Sequence, residues 1–171
     1  MKKFVISIFS VFILSACLLL PASTVLAESR PFQLSLTPEI AIQDRNTRIE
    51  GLSLGIWSEN PQKALTLGIV SGSTGNSVGF SWSFLLNYSD SYKGVHWAPV
   101  NYTQDYFFGW QYGFLNYARE FKGLQLGAVN FAETADTGLQ VGFVNVINDN
   151  KWFKNFPDEL AKGMVIVNWR F

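Results

Sequence analysis

Gly109-Trp-Gln-Tyr-Gly-Phe-Leu-Asn116, Gly123-Leu-Gln-Leu-Gly-Ala-Val-Asn130 and Gly138-Leu-Gln-Val-Gly-Phe-Val-Asn145 are three copies of one eight-residue phrase. A phrase that returns at near-constant spacing constrains architecture more firmly than local propensity does. Aligned on the opening glycine, further copies start at Gly51, Ala64, Gly79 and Gly94, with steps of 13, 15, 15, 15, 14 and 15 residues along the series. A weaker eighth copy starts at Ala161, which sets Val167-Asn168 under the closing Val-Asn of the others.

Each column of this alignment has one chemical character. The first position is Gly or Ala, and the third is polar: Ser53, Thr66, Ser81, His96, Gln111, Gln125 and Gln140. The fifth is small: Gly55, Gly68, Ser83, Ala98, Gly113, Gly127 and Gly142. Interleaved with them stand large apolar residues, among them Leu52, Phe80, Trp110 and Leu139, then Leu54, Trp82, Trp97 and Tyr112, then Ile56, Phe84, Phe114 and Phe143. Side chains alternate across a strand, so the columns divide into one small, polar face and one large, apolar face.

An all-β fold follows, and two architectures fit it. Glycine weakens a strand interior and marks places too cramped for a side chain. A narrow lumen lined by small polar residues, with aromatics outside, is the pattern of a transmembrane barrel, so the leading expectation is an antiparallel up-and-down β-barrel of about eight strands. The polar third column would then face the lumen, and Trp57, Trp82, Trp97, Trp110, Tyr102 and Tyr117 would form interfacial girdles. The polar stretches Ser58–Gln62, Ser71–Asn76, Ser89–Ser91, Thr103–Asp105 and Glu133–Thr137 would be the hairpin connections.

One observation favours a rival. After the first five or six positions the apolar side changes phase, with Val100, Leu115, Val129 and Val144 in line with the polar column and Asn101, Asn116, Asn130 and Asn145 in line with the apolar one. Either each strand bulges there or the chain bends. A bend in every copy with a stacked row of asparagines suits a β-solenoid of about 15 residues per coil.

Outside the repeats, Arg30 to Asp44 alternates apolar and polar residues around Pro38, the signature of a peripheral strand or arm. Asn148 to Lys162 carries Trp152, Phe153, Phe156 and Pro157 among charges and reads as a loop or short helix suited to a membrane surface or to solvent. Residues 1–27 have Lys2 and Lys3, an apolar run from Phe4 to Leu20, and Val25 and Ala27 before polar Glu28, the pattern of a secretory signal peptide. The expected domain plan is therefore a leader over 1–27 and a single repeat domain over 28–171.

Removing two leader lysines from 13 basic residues leaves 11 against 13 acidic ones, which gives no electrostatic footprint for nucleic acid. Charged residues make up only 15% and aromatics 16%. A soluble domain carries about a quarter charged residues, so part of this surface is expected to meet something other than water. Cys17, the only cysteine, lies in the leader, so the repeat domain has no disulfide. His96 is the only histidine, which excludes a site of several imidazoles. The paired glycines precede no Gly-Lys-Ser or Gly-Lys-Thr, so they form no phosphate loop. No cofactor and no catalysis are expected.

Three resemblances add to this reading. Leu14-Ser-Ala-Cys17 resembles a bacterial lipobox, which implies as an alternative a lipid anchor at Cys17, although Leu18, Leu19 and Leu20 continue the apolar run. Val165, Val167, Trp169 and Phe171 resemble the closing strand of bacterial outer-membrane barrels, which implies the outer membrane or cell surface of a Gram-negative bacterium, with membrane lipid and the outer-membrane insertion machinery as partners. The phrase itself resembles a loose set of exported surface-repeat proteins with tandem GLQxGxxN units, a resemblance that implies no activity. The expected role is structural or interactive, with a secreted or lipid-anchored binding module as the alternative. A third option is a lipid-modifying barrel enzyme using His96 with Ser81, Ser83 and Asp105, but Trp97-Ala98 after the histidine departs from the His-x-Ser pattern of such deacylases.

Overall fold

The computed structural model describes residues 29–171 and is all-β, with no helix among the described residues. The expected leader and the lipobox at Cys17 lie outside this range. The strands are β1 (Ser29–Thr37), β2 (Ile40–Ala41), β3 (Arg48–Trp97), β4 (Val100–Tyr112), β5 (Leu115–Leu126), β6 (Val129–Ile147) and β7 (Gly163–Arg170). Their order in the sheet is β2-β1-β3-β4-β5-β6-β7.

The ladders are parallel, and repeat stacks on repeat. Gly94 pairs with Gly109, Gly109 with Gly123 and Gly123 with Gly138, and the same register carries Asn101 onto Asn116 and Asn116 onto Asn130. This is the solenoid, not the barrel. An up-and-down barrel requires antiparallel neighbours and a closing pair, whereas here β2 and β7 are separate edges of one open sheet. β3 makes the winding plain: fifty straight residues would reach about 165 Å, but Gly79 lies against the carbonyl of Ala64 and Gly94 against that of Gly79.

Each coil has three extended segments. In the coil opened by Gly94 they are Gly94–Trp97, Val100–Thr103 and the stretch ending Phe107-Phe108, and each pairs with its counterpart in the next coil. Strand structure breaks at Ala98-Pro99, Gly113-Phe114 and Gly127-Ala128, so the change of apolar phase is a bend. Two successive residues point outward at each bend, such as Phe114 and Leu115, which flips the inward set by one position. The opening glycine marks another corner. Gly109 has φ 137°, and a Cβ there would overlap the carbonyl oxygen of Gly94. Glycine meets both demands because it lacks that atom.

The expected hairpin connections are therefore corrected. Ser58, Asn60, Gln62, Ser71, Ser73, Ser89 and Thr103 are buried residues within strands. Their polarity signalled turns only on the assumption that polar means exposed, and the interior here is polar. The weaker eighth copy is no coil either: β7 runs antiparallel to β6, with Leu139 opposite Trp169 and Gln140 opposite Asn168. At the other end β1 runs parallel to β3, as a peripheral arm, and turns at Pro38 into the antiparallel β2. Both ends of the parallel stack thus finish in a reversed strand, and the segment 148–162 closes the last coil with turns, burying Leu160 and Ala161.

A small apolar core fills one part of the interior: Tyr92, Phe107 and Phe121 with Ala118, Ala132, Ala135 and Ile147. The rest is packed with amides and hydroxyls. Buried polar groups are costly unless bonded, and rows of identical side chains at one coil spacing provide the bonds.

Candidate interaction surface

The expected polar column is entirely interior: Ser53, Thr66, Ser81, His96, Gln111, Gln125 and Gln140 all have no exposed surface. They line no lumen, because the coils are filled. Gln140 Nε2 donates to Gln125 Oε1 at 2.7 Å, and Gln125 Nε2 donates to Gln111 Oε1 at 2.6 Å. The asparagines form a second row. Asn87, Asn101, Asn116 and Asn130 each donate to the next asparagine, at 3.1, 2.8, 2.8 and 2.8 Å, ending on Asn145. The same amides reach corner carbonyls, as Asn116 Nδ2 does to Leu126 at 3.0 Å. Donation runs toward the C-terminus along the asparagines and toward the N-terminus along the glutamines.

His96 stands at the N-terminal end of the glutamine row, between Ser81 and Gln111 in the same column. Its ring lies 4.0 Å from the Tyr92 ring and 5.2 Å from that of Phe107, centroid to centroid. Neither ring nitrogen has a partner. Burial holds its pKa down at about 3, so it is neutral. A group sealed among aromatics has no access to a substrate, which removes the observation behind a His96 enzyme. Among the described residues no group of three or more His, Cys, Asp or Glu side chains is placed to hold a metal.

The exterior is where the coils differ from an ordinary soluble sheet. From Ala64 to Ile147, the first ten positions of every repeat contain no Asp, Glu, Lys or Arg. Two of the three segments, and the bend between them, therefore present only uncharged side chains outward. Phe143 is 80% exposed, Phe84 65%, Phe114 64% and Trp110 61%. Trp82, Trp97 and Tyr112 share one column, with the Trp97 and Tyr112 rings edge to face at 5.3 Å. A shallow groove of about 720 Å³ runs along these rings and the bend, bordered by Phe84, Pro99 and Phe114.

The charges gather on the third segment. Arg119 pairs with Asp105 at 2.9 Å and Lys122 with Asp136 at 2.8 Å. Lys93 lies 5.2 Å above the Phe108 ring. The stack is thus amphipathic about its long axis.

The six expected girdle aromatics do not form two girdles. Trp82, Trp97 and Trp110 belong to the first segment. Tyr102 and Tyr117 stack at 4.9 Å on the second, continued by Phe131 at 5.7 Å. The Tyr117 hydroxyl donates to Glu133 at 2.6 Å, and that bond pushes its pKa up to about 12. Trp57 stands apart and donates to the Tyr88 hydroxyl at 2.9 Å, which itself donates to Glu59, held by Arg45 at 2.5 Å. The expected insertion signature lies in the antiparallel end strand, with Val165 and Phe171 exposed and Val167 and Trp169 half-buried.

Sequence reasoning missed the apolar core column. Tyr92, Phe107 and Phe121 each stand two residues before an opening glycine, so the repeat alignment held the signal. No helix of the described residues is long and apolar enough to cross a membrane. No protein-family model matches the chain, and no curated protein or solved structure matches it.

Proposed function

We propose that this chain is an exported, non-catalytic surface protein whose β-solenoid lies along a lipid bilayer through the uncharged two thirds of its exterior. The observation that carries this reading is the inverted distribution of polarity: amide rows buried, and large apolar and aromatic columns exposed on two adjoining segments, with every charge between Ala64 and Ile147 on the third. Contiguous apolar patches of this kind on a folded surface mark interaction sites. Tryptophan and tyrosine favour the interface of a bilayer, where an apolar ring body and a polar tip are both accommodated.

Export rests on the pattern of residues 1–27, and the cell surface or outer membrane is the matching location. An acylated Cys17 would tether the solenoid beside the same bilayer, and mass spectrometry of the mature N-terminus separates that form from cleavage after Ala27. The insertion-machinery expectation depended on a closing barrel strand, and β7 instead ends the stack.

Vesicle flotation tests the proposal. The protein is expected to float with phosphatidylcholine vesicles and to show a blue shift of tryptophan emission. Replacing Trp110, Phe114 and Phe143 together by serine removes three exposed apolar side chains, each contributing about 1.5–3 kcal/mol when fully buried, and is expected to weaken binding by at least a hundredfold. A protein that stays at the bottom of the gradient with every lipid composition would sink the reading.

A further inference from the structure

The segment Lys151-Trp-Phe-Lys-Asn-Phe156 projects from the C-terminal end of the stack. Every residue from Lys151 to Asp158 is exposed, including Trp152 at 63%, Phe153 at 55% and Phe156 at 61%. Two backbone positions hold apolar side chains outward against their own preference. Phe153 has φ 50° and Ile166, itself 72% exposed, has φ 70°. An aromatic or β-branched residue rarely adopts this left-handed conformation. It persists only where the surroundings impose it, and such positions cluster at functional sites. At Phe153 the surroundings are explicit: its N–H donates to the Leu160 carbonyl at 2.9 Å. Backbone strain and exposed apolar surface are both unfavourable in water, and the second cost is relieved when something apolar covers the side chain.

The projection is continuous with the aromatic face. Trp169 pairs with Leu139 and so extends the column that contains Trp110. Phe156 lies 6.4 Å from the Trp169 ring, whose indole N–H donates to the Pro157 carbonyl at 2.9 Å.

Charge decides which bilayer it suits. Lys151, Lys154 and Lys162 are exposed. Of the three acids between 148 and 162, Asp149 and the buried Glu159 share Arg170 at 2.6 and 3.6 Å, and Glu159 also accepts from the Lys151 N–H at 2.9 Å and from Asn155 at 3.0 Å. Only Asp158 is left exposed to oppose the lysines.

We infer that residues 151–156 form an end anchor, in which Trp152, Phe153 and Phe156 enter the headgroup boundary of an anionic bilayer and Lys151 and Lys154 meet its phosphates. The inference rests on the lipid-facing reading above and adds a preference for anionic lipid and a defined point of entry. A lysine near such a surface contributes enough for a severalfold effect.

Binding of the full chain to phosphatidylcholine vesicles, and to vesicles with about a third phosphatidylglycerol, is the test. Wild type is expected to bind the anionic vesicles about tenfold or more tightly. The Lys151→Glu, Lys154→Glu double variant is expected to lose that preference yet bind phosphatidylcholine as before. The same charge changes at Lys63 and Lys93, on the charged side of the stack, are expected to leave the preference intact. The Trp152→Ser, Phe153→Ser, Phe156→Ser variant is expected to bind both vesicles about tenfold or more weakly, with a circular dichroism spectrum matching wild type. If wild type binds and both segment variants match it, the anchor is wrong and the solenoid face stands. If wild type binds neither vesicle, both readings fall.

Discussion

The coils from Gly94 to Ile147 and those from Arg48 to Tyr92 share one backbone plan but fill it differently. In the first group the third and eighth positions are amides, apart from His96, and each amide bonds to the next coil. In the second group the corresponding interior is mostly serine and threonine, whose hydroxyls are too short to span the gap between coils in every row. Ser83 does reach the Ser71 hydroxyl of the preceding coil at 2.7 Å, but Ser81 turns to Asn87 within its own coil at 2.8 Å, and the hydroxyls of Ser53, Ser58 and Ser73 have no partner. A solenoid therefore does not gain equally from any polar interior. It gains from side chains whose donor and acceptor lie about one coil spacing apart.

The sharpest way to break that contrast is Asn116→Leu. It leaves the Asn130 acceptor without a partner in a buried row and removes one bond each from the Asn101 amide and the Leu126 carbonyl, which keep those to Tyr112 and from Gly113. At about 1–3 kcal/mol for the orphaned acceptor and about 1 kcal/mol for each of the two other lost bonds, a loss of about 3–5 kcal/mol is expected, read from urea denaturation. A loss below about 1 kcal/mol would mean that the row adds little beyond shape.

His96→Gln is the next test, because it lengthens the glutamine row by one rung. The folded-state pKa of His96, about 3, lies below its ordinary value of 6.5. The unfolded chain therefore binds the proton more readily, and stability falls as pH drops from about 6.5 toward about 3. With each unit worth about 1.36 kcal/mol, the full loss is on the order of 4–5 kcal/mol. The glutamine variant is expected to lack this acid-dependent component, which thermal melts at neutral and acid pH would check. An unchanged pH dependence would place the acid sensitivity elsewhere.

The smallest effect is expected in the serine half. Ser53→Ala removes a buried hydroxyl that already lacks a partner, so stability is expected to stay within about 0.5 kcal/mol of wild type or to rise. A loss comparable to that of Asn116→Leu would erase the distinction between the two halves.

Much of this was written in the residues. The repeat starts, the polar third column and the asparagine row identify the stacking positions, and Gly109, Gly123 and Gly138 do fall in register. Strand direction was not legible. Val100, Leu115 and Val129 report a change of phase, but a bulge between antiparallel strands and a bend between parallel coils produce the same phase change. Only the partner of each strand separates them. The polar stretches such as Ser71–Asn76 misled for a related reason, since in a chain that buries its amides polarity no longer tells loop from core. For the surface, Trp82, Trp97 and Trp110 were recognisable as outward residues, whereas the confinement of Asp105, Arg119, Lys122 and Asp136 to one side emerges once the bends fold each repeat back on itself.

The opposed directions of donation in the two amide rows bear on how long such a stack can grow. Each amide is a dipole of about 3.5 D, and a single head-to-tail row would build an axial field that increased with every added coil. Here the asparagine row points one way and the glutamine row the other, so each further Gln-and-Asn repeat adds two nearly cancelling dipoles. Duplicating a repeat would then leave the ends of the stack electrically unchanged.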